Sequence, residues 1–130
     1  MDSLLIVDAA NVVGSVPDGW WRDRHGAAER LRDALPGYAA DGLPGLMAPP
    51  LELVLVVEGA ARGVESVDGV RVVAADGSGD DRIVRLVAEE SGGRDCLVVT
   101  ADRELRERVR ALGARVTGPR AVWGRRRDEG

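Results

Sequence analysis

The chain has 130 residues, with 18 basic and 22 acidic side chains for a net charge of -4. That length suits one domain with a substantial core, and it holds no apolar run long enough for a transmembrane helix; the start Met1-Asp2-Ser3 lacks the positive charge of a signal peptide, so the expected location is the cytoplasm. Every basic residue is arginine, which excludes a Walker-type phosphate loop and any Schiff-base or lysine-nucleophile chemistry, and the single cysteine excludes a disulfide framework.

In chain order, Leu4-Leu5-Ile6-Val7 runs straight into Asp8, with Asn11 three positions later. The run is short and lacks helical spacing, so it predicts the central strand of a parallel sheet, buried on both faces. Asp8 then falls at the strand's carboxyl end, where open α/β sheets place their sites. Residues 11–21 carry two glycines, a proline and an aspartate and predict a loop, closed by Trp20-Trp21. Adjacent tryptophans cannot both face one core: one packs beneath the loop, and the other stays exposed, either idle or as a stacking platform for a base. Residues 22–35 predict an amphipathic helix on Ala27, Ala28, Leu31 and Leu35, with His25 solvated in its first turn and Pro36-Gly37 ending it.

Four prolines and three glycines over residues 36–50 mark a long connection. Residues 51–57 form a second buried strand ending in Glu58-Gly59, and residues 70–74 a short third one. The turn Asp76-Gly77-Ser78-Gly79 leads into a helix over 80–91 whose inward stripe is Ile83, Leu86 and Val87. Residues 95–100 predict a fourth strand, with Cys96 as a buried thiol, and residues 102–112 a third helix with Gly113 at its C′ position. An edge strand over 114–117 follows. The alternation predicts one compact three-layer α/β domain over residues 1–118, with a central, mostly parallel sheet and helices on both faces. Residues 119–130, with Arg120, Trp123 and Arg125-Arg126-Arg127, read as a basic, flexible tail, either solvated or an arm for RNA.

Asp8, Glu58, Asp80 and Asp102 all fall at strand carboxyl ends or at the helix starts beside them, so a parallel sheet brings them to one rim. Oxygen ligands of this kind suit a hard divalent cation and metal-assisted phosphoryl chemistry, without histidine or lysine. Each acid also has a plainer reading. Asp80 and Asp102 stand where helix N-caps are expected, Glu58 reads equally as a solvated strand end, and Asp76 and Asp81 as solvated or helix-dipole acids. Asp8 ends a strand with no helix predicted to begin at once, and so has no capping duty. Asn11 either satisfies loop backbone or orients Asp8 or a phosphate, and Thr100 either bonds locally or supports the acids.

Asp8-Ala-Ala-Asn11 after the first strand, Gly79-Asp80-Asp81-Arg82-Ile83 opening a central helix, and Thr100-Ala-Asp102-Arg103-Glu104-Leu105 after a late strand together resemble the NYN branch of the PIN-like nucleases, particularly the YacP-like proteins. The resemblance implies a PIN-like α/β fold and an acidic pocket that binds Mg2+ or Mn2+ for RNA cleavage. Carried over, it makes Asp8, Asp80 and Asp102 the catalytic and metal-binding acids, with Asp81 able to share the middle role and Glu58 matched by type where an aspartate is more usual. Asn11, Thr100 and Arg103 then stand on the substrate side. The leading expectation is a metal-dependent endoribonuclease acting on single-stranded or structured RNA, with no membrane partner. A phosphohydrolase or nucleotide pyrophosphohydrolase on a small substrate, and a non-catalytic RNA-binding regulatory module, are the alternatives.

Overall fold

The structure, a computed structural model, describes residues 2–122. Five strands, β1 (Ser3–Asp8), β2 (Leu51–Val57), β3 (Arg71–Ala74), β4 (Cys96–Val99) and β5 (Arg115–Thr117), form one all-parallel sheet in the order β3-β2-β1-β4-β5. Five α-helices flank it: α1 (Ala9–Gly14), α2 (Arg24–Ala34), α3 (Pro36–Asp41), α4 (Gly79–Glu90) and α5 (Arg103–Arg110). Trp123 and Arg125, Arg126 and Arg127 lie outside the described residues.

The sheet is double-faced because its three central strands, β1, β2 and β4, are apolar at nearly every position, and the two-residue period sorts them between two cores. Leu5, Val7, Leu53, Leu55, Val57, Leu97 and Val99 pack with Val12, Ala28, Leu31 and Leu35 from α1, α2 and the turn into α3. Leu4, Ile6, Val54, Val56, Cys96 and Val98 pack with Ile83, Leu86, Val87, Leu105 and Val109 from α4 and α5. The chain builds outward from β1 through β2 to β3, then crosses back to lay β4 on the other side of β1. With a constant crossover hand, that reversal moves the connecting helices to the opposite face. The switch point therefore lies at the carboxyl ends of β1 and β4.

Three local expectations change. Residues 11–14, expected in the loop, are helical with 9 and 10: the glycine and proline signals begin only at Gly14, while Ala9-Ala10-Asn11-Val12-Val13 buries Ala9, Val12 and Val13 as the first turns of α1. Pro36 does not end helical structure but opens α3, a position where its missing N–H costs nothing, and buried Leu43 and Met47 pin the rest of the connection to the core. The fold also runs past residue 118. Pro119–Ala121 is a 3-10 turn, Val122 is fully buried in the α1–α3 core, and its carbonyl accepts a hydrogen bond from the Tyr38 hydroxyl at 3.4 Å. Cys96 is buried as expected, and burial pushes its thiol up to about 11. Among the described residues no helix is long and apolar enough to cross a membrane.

Candidate acidic site

The alternation that sorts the sheet faces also aims the strand ends. Asp8 continues the row of Leu4 and Ile6, Glu58 that of Val54 and Val56, and Thr100 that of Cys96 and Val98, so all three fall on the face covered by α4 and α5. The register sets Val7 beside Val99, which brings Asp8 level with Thr100 one residue further on. Both covering helices begin at this rim, with Asp80 in the first turn of α4 and Asp102 as the N-cap of α5.

Asp8 is only 4% exposed. Its Oδ2 accepts from the Thr100 hydroxyl at 2.9 Å, and its Oδ1 accepts from the Asn11 backbone N–H at 3.4 Å. Thr100 Oγ1 in turn accepts from the Asp102 N–H at 3.1 Å, Asn11 Oδ1 accepts from the Ala101 N–H at 2.8 Å, and Arg106 Nε donates to the Thr100 carbonyl at 2.8 Å. Burial raises the Asp8 carboxyl from 3.8 to about 6; the bonds from Thr100 and Asn11 oppose the shift, and the charges of Asp80 and Glu58 add to it. Asp80 is half-buried and is raised by burial first, then by Asp102 and Glu58, against the lowering effect of Arg108. Glu58 lies against the start of α4: a Cβ at Gly79 would stand 2.9 Å from Glu58 Oε1, so the glycine makes room for the carboxylate.

Over 99% of its length the chain matches the crystal structure of Rae1 (YacP) from Bacillus subtilis, with a TM-score of 0.72, 21% identity and 78% of that chain covered. The W164L mutant of the same protein matches equally, at TM-score 0.72, 20% identity and 80% coverage. The fold is YacP-like. No protein-family model and no curated protein matches the sequence, so the likeness is one of fold.

Within this YacP-like fold the capping readings change places. Asp8 does cap a helix, α1, whereas Asp80 does not: the cap of α4 is Ser78, whose Oγ accepts from the Asp81 N–H at 3.2 Å. Asp102 caps α5 as expected, accepting from the Leu105 N–H at 2.9 Å. Asp81 is exposed and engaged by Arg108 at 3.0 Å, which makes it a surface ion pair beside the cluster. Thr100 is fully buried with its hydroxyl both donating and accepting, so it positions Asp8 and cannot reach a substrate. Arg103 is exposed on the first turn of α5. His25 is half-exposed beside Glu29, at 3.4 Å. Among the described residues no three His, Cys, Asp or Glu side chains converge closely enough to hold one ion, so the expected sharing of an ion by Asp8, Asp80 and Asp102 is not preformed. The donor set is nevertheless all carboxylate oxygen, which fits a hard cation that keeps several of its waters. The sequence marks Ser78 and Gly79 only as turn and motif residues, without the capping and space-making roles they have here, and leaves Arg106 and Arg108 unassigned; for Arg106 the signal is its place four residues after Asp102 on one helix face.

Proposed function

We propose that the chain is a metal-dependent endoribonuclease that hydrolyses RNA phosphodiesters at Asp8, Asp80 and Asp102, with Glu58 alongside. The observation that carries this reading is that four acids from four separate elements stand along one rim of the sheet, near enough that burial and mutual repulsion push Asp8 and Asp80 upward. For Asp8 the shift from 3.8 to about 6 corresponds to about 3 kcal/mol against the charged form, as much as burying one leucine contributes. A fold does not place like charges together for stability, whereas a cation site needs them. The three motifs shared with PIN-like nucleases and the YacP-like fold point the same way.

Asp8 and Asp80 would hold Mg2+ or Mn2+ directly or through water, with Asp102 and Glu58 completing the negative rim. Bound there, the ion would offset charge on the scissile phosphate and supply a water of lowered pKa. Thr100 and Asn11 fix the orientation of the Asp8 carboxylate, and the exposed Arg103 guanidinium would take a flanking phosphate. The competing reading, an RNA-binding module without catalysis, is favoured by the absence of three preassembled ligands among the described residues. Incubating the protein with single-stranded and structured RNA, with and without Mn2+, beside Asp8→Asn decides between them. Cleavage that requires both the metal and Asp8 supports the nuclease; binding without cleavage in every condition supports the module.

A further inference from the structure

A cavity of about 310 Å3 opens between α1, α2 and the turn that follows β2, and Glu58 belongs both to its lining and to the acidic rim. We propose that this cavity is a nucleobase subsite, which takes the base of a nucleotide adjoining the phosphate held at the acids. The subsite presupposes the ribonuclease reading above and adds to it where the RNA sits.

Small side chains, among them Ala10, Ala28 and Ala61, hollow the cavity out, while Trp20 and Arg24 give it an aromatic and cationic wall. The Arg24 guanidinium lies 5.3 Å from the Trp20 ring centroid. Trp20 is held in place: it packs on the α1–α3 core and meets Trp21 edge-on at 6.1 Å and 87°. The volume is at the small end of the range for small-molecule sites, about 300–1,000 Å3, and suits a single planar heterocycle. Bases stack on indole and on guanidinium planes alike, and apolar walls select shape more than hydrogen-bonding pattern. An aliphatic ligand would leave both Arg24 and the adjacent acids unmatched. A nucleotide would match both, with its base against Trp20 and Arg24 and its phosphate past Glu58 toward a divalent cation held by the acids. Filling the cavity requires an unstacked base, so the subsite favours single-stranded RNA and tolerates several bases.

The test is a tryptophan-fluorescence titration of the full chain, with Mg2+ present throughout, with adenosine, cytidine and uridine 5′-monophosphates, and with ribose 5-phosphate as the base-free probe. Saturable quenching by the nucleotides and none by ribose 5-phosphate is expected. Ala10→Leu, an exposed helix position where leucine fills the lining, should weaken nucleotide binding by about tenfold or more. Arg24→Ala, also exposed, is the second variant and should weaken it as well, with melting temperatures of both variants retained. Equal binding of ribose 5-phosphate, or unchanged nucleotide affinity in both variants, overturns the subsite. An RNA-cleavage assay on the same proteins separates the two readings. Cleavage by the parent with no nucleotide binding removes the subsite and leaves the nuclease; nucleotide binding with no cleavage in any metal leaves the subsite and removes the nuclease.

Discussion

The two halves of the acidic site are built differently. On the β1–β4 side, Asp8, Asn11, Thr100 and Asp102 are tied to one another and to the backbone by hydrogen bonds of 2.8 to 3.4 Å. On the β2–α4 side, the carboxylates of Glu58 and Asp80 have no hydrogen bond among the described residues and are placed by strand alternation, the cleft at Gly79 and the first turn of α4. One half is therefore preorganised, while the other carries repelling charge on side chains free to adjust. Among the described residues no three ligands stand within reach of one ion; on the proposed function, the second half would close on the cation once its charge is countered.

Breaking the bonded half should have the largest effect. Asp8→Asn should lower RNA cleavage by more than about 100-fold, beyond the 10–100-fold typical of residues that merely support a metal ligand. It should also stabilise the metal-free protein at neutral pH by up to about 3 kcal/mol. The sign follows from the Asp8 carboxyl, whose folded value of about 6 lies above 3.8. Between these values the folded chain binds more protons than the unfolded one, so stability falls as pH rises from about 4 to about 6 and levels off above. Denaturant melts across this range should show the slope in the parent and its loss in Asp8→Asn; a variant that melts lower at neutral pH would mean that the charged carboxylate is structural.

Thr100→Val should come next, with cleavage reduced 10–100-fold. Removing the hydroxyl takes a lowering influence from Asp8, so the pH–rate profile should move to higher pH, an effect that a loss of packing alone would not produce. Asp102 separates its two duties by substituent. Asp102→Ala should cost about 1 kcal/mol of stability through the lost cap, whereas Asp102→Asn should keep the cap and still lose cleavage, read by thermal melts beside the RNA assay. The smallest effect belongs to Arg108→Ala. Its exposed pair with Asp81 contributes within about 1 kcal/mol, yet its removal should raise Asp80 further, seen by carboxyl-resolved NMR titration.

The parts of this arrangement that depend on a single local signal were legible in the sequence. β2 and the two helices of the second face follow from apolar runs and helical stripes, Asp8 and Asp102 from acids that close such runs, and Asp80 from an acid that opens a helix. What was not legible depends on competition between equivalent groups. Ser78, Asp80 and Asp81 are all competent caps within four residues, and only the backbone decides that Ser78 takes the role and frees Asp80. The capping role of Asp8 is hidden because α1 is two short turns, Ala9–Gly14, with no signal that stands out against the glycines and proline around and after it. The resemblance sets Thr100 on the substrate side, whereas the register buries it against Asp8 from a segment 92 residues away. The cavity walls likewise come from three separated segments, whose alanines carry no pattern until the fold joins them.

The most direct test of the central claim is a Mn2+ titration followed by electron paramagnetic resonance at neutral pH, on the parent and on Asp8→Asn and Asp80→Asn. The account predicts one specific site in the parent and at least about tenfold weaker binding in each variant, since each removes a carboxylate from a different half. Mn2+ affinity unchanged in both variants would contradict it.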